Sequence, residues 1–158
     1  MLNGKAFELF KNEILTTTTE GSKSEKTARF AAQLDEKTAE LTDLTQKIIQ
    51  NAAQSGVEVM LADATLYLEY FGLVVVAWMW LKQGIVADKA LQNGVDVADE
   101  KLFMESKLAT MRFFFEYELP KTQALRTQLL NFDKLTVSLE SAVLVWLIHE
   151  FNEFNEFH

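Results

Sequence analysis

The residues best suited to metal chemistry lie near the end of the chain, where His149 is followed by Glu150 and, three residues later, by Glu153. A zinc-protease helix places two histidines four residues apart, but here Glu153 stands where the second histidine would be. A di-metal carboxylate bundle needs a glutamate three residues before a histidine, and neither His149 nor His158 has one. We therefore expect no metal site and interpret His149 as a solvated histidine at a helix end.

Acid–base catalysis would require carboxylates that converge on one point. Glu116 and Glu118 are about 200° apart on a helix and diverge. Asp96, Asp99 and Glu100 instead suit the positive end of a helix dipole. No serine stands in the setting of a nucleophile elbow, and no glycine-rich loop offers a cradle for phosphate. We predict that this chain has no catalytic residues and binds no cofactor.

Aromatic side chains are dense in the middle of two predicted helices, at Trp78, Trp80, Phe113, Phe114 and Phe115. The three consecutive phenylalanines step around about 200° of a helix, so at least one must point away from the local core. Trp78 and Trp80 are also about 200° apart, so one can fill the core while the other faces outward. An excess of surface aromatics is typical of an interface, although a wide core could also use them. These five residues are the candidate interface.

Composition narrows the class of protein. A length of 158 residues, 49% apolar and 24% charged, fits a single folded domain over 1–158. A net charge of -8 argues against a nucleic-acid partner. The chain has no cysteine, and its first residues lack a signal-peptide pattern, so we expect a cytoplasmic protein.

Apolar residues recur at helical spacing along almost the whole chain, and only one proline and six glycines interrupt it. The pattern predicts an all-α fold, an antiparallel up-and-down bundle of four main helices plus a short extra terminal helix. The first predicted helix runs from Lys5 to about Leu15, and the second runs from a cap at Ser24 to a glycine stop at Gly56. The third begins between residues 57 and 63 and ends near Asn93. The fourth begins at residues 96–100 and is broken near residues 116–119 by Pro120, and the fifth runs from Thr136 to about Glu150.

Two further features concern the third helix and the end of the chain. The most apolar stretch, residues 71–81, is shorter than the roughly 20 residues that cross a bilayer, so we expect a buried helix and no membrane span. Gly84 weakens this helix and could mark a bend. The Glu-Phe-Asn repeat at the end of the chain does not hold one helical face, so we expect residues 151–158 to fray.

Three segments also resemble a known domain: residues 63–72 (DATLYLEYFG), 77–83 (AWMWLKQ) and 107–120 (KLATMRFFFEYELP). They are similar to the extra C-terminal helical domain appended to certain bacterial acyl-CoA dehydrogenases, and residues 2–7 resemble the segment that leads into it. The resemblance covers roughly residues 2–140. The Glu-Phe-Asn tail departs from the family.

The resemblance implies an oxidoreductase parent that oxidises an acyl-CoA with FAD in fatty acid metabolism. In that family the flavin, the acyl-CoA and the catalytic glutamate belong to three preceding domains, so no functional residue carries over to this chain. The implied role is a non-catalytic module for subunit association, as a homodimer, or for docking on the catalytic domains. The alternative is a free-standing module that binds an apolar small molecule, such as an acyl chain, between the third and fourth helices, in a gap opened by Pro120.

Overall fold

The computed structural model describes residues 4–132 together with Val143 and Trp146, and within these residues every regular element is helical. The predicted fifth helix and the predicted frayed tail lie outside the described residues, apart from Val143 and Trp146, which are helical and exposed. The elements are α1 (Lys5–Gly21), α2 (Glu25–Ser55), α3 (Val57–Ala62), α4 (Ala64–Asn93), α5 (Ala98–Phe113), a π-helical turn (Phe114–Glu118), a 3₁₀ turn (Leu119–Lys121) and α6 (Thr122–Asn131).

Helix α1 is longer than the sequence predicts, because the threonines after Leu15 remain helical. The hydroxyl of Thr16 donates to the Asn12 carbonyl and that of Thr17 to the Glu13 carbonyl, each at 3.0 Å, so these two side chains form hydrogen bonds within their own helix. The helix ends at Gly21, where an added Cβ would lie 3.2 Å from the Ala31 Cβ. The prediction of an end near Leu15 is therefore wrong.

The link between α1 and α2 is held by ion pairs and by a helix cap. Ser24 caps α2 as predicted, since its side-chain oxygen accepts from the Lys26 amide at 3.3 Å. Glu20, at the end of α1, pairs with Lys23 and with Lys89 of α4. Hydrogen bonds from Lys23 and then Lys89 lower the pKa of Glu20 to about 2.

The third predicted helix is divided into two. Gly56 ends α2 with φ of 97°, as the glycine stop predicted, and the six-residue α3 follows. Asp63 interrupts the helical geometry with φ of -101° and ψ of 10°, and its carbonyl accepts from the Tyr67 amide at 3.1 Å to begin α4. The sequence predicted that the third helix begins between residues 57 and 63. Residue 57 is the start of α3, and residue 63 is the cap of α4.

The break at Pro120 is confirmed. Because proline has no amide hydrogen and its ring clashes with the carbonyl four residues earlier, the α-helical pattern cannot continue through it. The chain instead forms the π-helical turn Phe114–Glu118 and the 3₁₀ turn Leu119–Lys121 before α6 begins.

One core joins the helices around the inner faces of α2 and α4. One stripe of α2 is buried, formed by Phe30, Leu34, Leu41 and Leu44, and the buried stripe of α4 is formed by Tyr70, Val74, Ala77 and Leu81. Along α2, the side chains of Ser24, Glu40 and Thr45 contact in turn Asp88, Tyr70 and Tyr67 of α4. The largest fully buried apolar side chains are Tyr70, Ile14, Leu34, Leu41, Leu44, Leu81, Met111 and Val74.

Candidate association surface

Helix α4 buries only part of its apolar circumference. Its inner face packs into the core, but Leu68, Val76, Met79 and Val86 are between 36% and 67% exposed. At 100° per residue these four side chains fall within about 80° of one another, so they form one stripe. Gly72 lies in the middle of the stripe, and nothing lies within 4 Å of where its Cβ would be. We call these five residues the exposed α4 face.

The exposed α4 face carries no charge along the stripe, which runs over 18 residue steps from Leu68 to Val86, or about 27 Å of helix. Gln83 is an uncharged polar residue within the same arc. Glu69 and Lys82 lie at its edges. An exposed apolar stripe of this length is unusual for a helix whose surroundings are only water. The face is therefore the part of α4 best suited to contact another apolar surface.

Helix α5 continues this apolar character beside α4. Phe103 is 55% exposed and Phe113 is 53% exposed, and the Phe113 ring stacks on that of Tyr117 with centroids 5.0 Å apart. Lys107 lies between the two helices, with its ammonium 5.6 Å from the Trp80 ring centroid and 5.1 Å from that of Phe103. Aromatic rings and a lysine stem thus line the side of the exposed α4 face that adjoins α5.

The two candidate tryptophans are both half-buried and lie on opposite sides of α4. Trp78 donates its indole N–H to the Thr17 hydroxyl at 2.8 Å and packs edge-on against Phe10, which fixes it between α1 and α4. Trp80 faces α5 through Lys107. The prediction that one tryptophan fills the core while the other faces outward is therefore wrong. The buried stripe of α4 runs between Trp78 and Trp80, and each tryptophan covers one edge of that stripe.

The three candidate phenylalanines separate as their spacing predicts. Phe113 points outward, Phe114 is half-buried, and Phe115 is 2% exposed against Phe30, with ring centroids 5.1 Å apart. Phe115 therefore belongs to the core and Phe113 to the surface. The apolar spacing of the third predicted helix places Leu68 and Met79 on its main stripe, and this prediction is wrong because both side chains are exposed. Val76 and Val86 were not singled out, although the all-round apolar composition of α4 indicates that one of its faces needs a partner.

The carboxylates considered for acid–base work are engaged in ion pairs or lie exposed. Glu116 accepts from Arg29 at 2.6 Å and from Arg112 at 3.0 Å. Desolvation acts to raise the pKa of Glu116, but the hydrogen bonds from Arg112 and Arg29 outweigh it and leave the pKa below its ordinary value. Glu118 pairs with Lys121. Within residues 4–132, no cluster of three or more acidic or histidine side chains could hold a metal ion, and His149 lies outside the described part.

The sequence did not reveal that Asp88 is a buried charge. It is 2% exposed and accepts from the Ser24 hydroxyl and from the Gln92 amide at 2.7 Å, while the Lys26 ammonium lies 3.4 Å from its second oxygen. The carboxylate thus ties the cap of α2 to α4. We interpret Asp88 as a structural link, because all of its contacts are to the helices that it joins.

An apolar cavity of about 260 Å³ lies at the other end of the bundle from Asp88. It is bounded by the second half of α2, by α3, by the first turn of α4 and by the end of α6. It therefore lies only partly between the third and fourth predicted helices, and Pro120 is not among the residues that line it. The gap expected at Pro120 is not where this cavity forms.

Helix α4 also has the length and composition of a membrane span, on the evidence of the described residues alone. An 18-residue window within Ala64–Asn93 has a mean hydropathy of 1.5, and 22% of that window is buried. Length and composition do not distinguish a span from a bundle helix. Here, however, α4 is joined to α1 by the Trp78–Thr17 hydrogen bond and to α2 by Tyr70, whose hydroxyl donates to Glu40 at 3.0 Å.

Comparison with known proteins agrees with the resemblance in the sequence. The model of one family, described as acetyl-CoA dehydrogenase C-terminal like, matches residues 10–140. No curated protein and no solved structure matches the chain significantly. The matched region takes in the whole of α2 to α6, including the exposed α4 face and the aromatic residues of α5. The chain therefore belongs to the acetyl-CoA dehydrogenase C-terminal-like family.

Proposed function

We propose that this domain is the non-catalytic helical module of an acyl-CoA dehydrogenase-like flavoprotein, and that it serves subunit association or docking on the catalytic body. The observation that carries the proposal is the exposed α4 face, an uncharged apolar stripe in the middle of the family match. Family membership supports the kind of enzyme to which the module belongs. The FAD-dependent oxidation of an acyl-CoA is proposed for the implied parent and not for this chain.

The size of the surface indicates what kind of contact it can make. A stable protein interface buries about 800 Å² on each partner. A helix stripe about 27 Å long and about 11 Å wide supplies about 300 Å². The exposed α4 face is therefore too small alone, and we propose that Phe103 and Phe113 of α5 extend the contact, with both tryptophans at its margins. A two-fold homodimer would use this surface twice in one self-complementary contact.

We further propose that the helices form an antiparallel up-and-down bundle. The support is the order of contacts between α2 and α4, in which Ser24 meets Asp88 and Thr45 meets Tyr67. Likewise Thr18 of α1 donates to Asp35 of α2 at 2.6 Å, and an added Cβ at Gly21 would meet Ala31. Such an arrangement leaves the outer face of α4 free for a partner.

The residues that the structure describes do not fit a flavin site. Flavin phosphates are usually held by a glycine-rich turn at a helix N-terminus. The glycines here are isolated in sequence, and the N-terminal turn of α5, with Asp99 and Glu100, is acidic and would repel phosphate. We therefore derive no chemical step in this chain, and we place the flavin of the implied parent in its catalytic domains.

Two measurements on the purified chain test the proposal. The isolated chain should show no flavin absorbance and no oxidation of an acyl-CoA, whereas the catalytic part of the dehydrogenase from the same organism should show both. Chemical cross-linking of the chain to itself or to that catalytic part should place the cross-links beside α4 and α5, for example at Lys82 and Lys107. Bound flavin in the isolated chain, or cross-links confined to α1 and α2, would overturn the proposal.

A further inference from the structure

The apolar cavity of about 260 Å³ has walls from four helices and is not explained by an association surface. Its apolar lining comes mainly from Ile48 of α2, Val59 and Met60 of α3, Leu129 of α6 and the following Phe132. An engineered apolar cavity of about 150 Å³ in another protein is large enough to bind benzene. This cavity is larger, so it can hold a ligand of more than six carbon atoms.

The cavity follows from how the chain turns at the end of α2. Gly56, with φ of 97°, directs the chain out of α2, and the six residues of α3 are too few to fill the space beneath them. Helix α4 then begins at Ala64, whose small side chain lines the cavity where a larger one would fill it. The backbone therefore leaves a partly open volume that the described side chains do not fill.

The cavity also contains a hydroxyl with spare hydrogen-bonding capacity. Thr45 donates its hydroxyl hydrogen to the Leu41 carbonyl at 2.7 Å, and its oxygen lies 2.8 Å from the Tyr67 oxygen. Since the Thr45 hydrogen is already used, Tyr67 must be the donor to Thr45. The Tyr67 oxygen then keeps lone pairs that can accept a hydrogen bond from a ligand.

The charges around the cavity select against anions. Among residues 4–132, Asp63 is the only charged residue that lines the cavity, and no lysine or arginine of that range lines it. The whole chain carries a net charge of -8. A carboxylate or phosphate entering this site would lose hydration and meet a like charge without a cationic partner from the described lining residues. Fatty acids and coenzyme A esters are therefore disfavoured relative to neutral molecules of the same apolar length.

From these four observations we propose that the cavity is a binding site for an uncharged, mainly apolar molecule, with a hydroxyl that donates to Tyr67. A medium-length primary alcohol has this chemistry. The site is separate from the exposed α4 face, because its residues lie on α2, α3, the first turn of α4 and α6. The proposal does not depend on the association function, and either can fail without the other.

The test uses the full chain and three probes of similar length, namely 1-octanol, octanoate and octane, measured by calorimetry or by NMR shifts. Octanol should bind at least tenfold more tightly than octanoate. Tyr67→Phe should weaken octanol several-fold and leave octane unchanged, because only the alcohol uses the hydroxyl. Ala64→Leu should fill the cavity and weaken both octanol and octane at least tenfold.

The matched control is Ala53→Leu, which adds the same atoms at an exposed position of α2. It should bind octanol as the unmutated chain does. Equal binding of octanol and octanoate would overturn the argument from charge. If neither octanol nor octane binds, the proposed site is wrong, whether the cavity does not exist or other residues of the chain already fill it. Unchanged octanol binding in Ala64→Leu would show that the alcohol binds elsewhere.

Discussion

Gly84 of α4 lies directly against Met111 of α5, and its replacement by alanine tests that packing. A Cβ at position 84 would overlap the Met111 side chain, which is itself 1% exposed. In contrast, a Cβ at Gly72 of the same helix would meet nothing within 4 Å. The two glycines thus allow one substitution to be compared in crowded and open surroundings within a single helix.

The expected magnitudes follow from two opposing effects. Alanine stabilises a helix interior by about 1 kcal/mol relative to glycine. Gly72→Ala should therefore increase the free energy of unfolding by up to about 1 kcal/mol. Gly84→Ala gains the same helical term, but overpacking of a buried side chain costs about 1–3 kcal/mol. We expect a net loss of about 1 kcal/mol, which makes Gly84→Ala less stable than Gly72→Ala by about 2 kcal/mol.

Urea unfolding followed by circular dichroism gives both free energies, at low protein concentration so that association does not contribute. Met111→Ala provides a second background in which the space beside position 84 is open. There Gly84→Ala should become neutral or stabilising, with a coupling of at least about 1 kcal/mol between the two sites. If Gly84→Ala stabilises the unmutated chain as much as Gly72→Ala does, the close packing of α4 on α5 is refuted.

Three other perturbations probe single contacts. Thr17→Val removes the acceptor of the Trp78 N–H and should lower the free energy of unfolding by about 1–2 kcal/mol. The control Thr16→Val loses only an exposed hydrogen bond to its own helix and should lower it by less than half as much. An equal loss in both variants would count against the indole hydrogen bond. The lysine partners of Glu20 lower its pKa from 4.5 to about 2, so the stability that this carboxylate adds is present above pH 4.5 and is lost as the pH falls towards 2. When the free energy of unfolding is measured at a series of pH values, Glu20→Gln should therefore lose less stability than the unmutated chain between pH 4.5 and 2. Burial, and to a smaller extent the nearby Glu40 carboxylate, raises the pKa of Tyr70 above its ordinary value of 10.0. The stability that the protonated Tyr70 hydroxyl confers is therefore full below pH 10 and falls as the pH rises further. Tyr70→Phe should remove this loss of stability at alkaline pH in the same assay.

The sequence predicted the features that depend on local chemistry. The Ser24 cap, the glycine stop at Gly56 and the break at Pro120 each rest on one residue type whose backbone preference is strong. That at least one of the three consecutive phenylalanines points away from the core followed from helical geometry alone. These predictions are confirmed because no tertiary contact opposes the local preference.

The features that the sequence did not predict depend on contacts between helices. Gly84 was interpreted as a possible bend, but the structure uses it for the approach of Met111, a residue 27 positions away. The burial of Asp88 depends on Ser24, 64 residues earlier. Likewise the roles of the two tryptophans were set by α1 and α5, which cover the edges of α4. Periodicity identifies an apolar face but not which neighbour covers it.

The most direct test of the proposed function is sedimentation velocity of the chain, alone and mixed with the catalytic part of the dehydrogenase, for three proteins. The unmutated chain should form a complex, with itself or with that partner. Met79→Glu places a charge in the middle of the exposed α4 face and should abolish the complex, while the matched control Leu15→Glu, at a residue of α1 that is 59% exposed, should retain it. A strict monomer that ignores the catalytic part, or a complex that persists unchanged in Met79→Glu, would contradict the account.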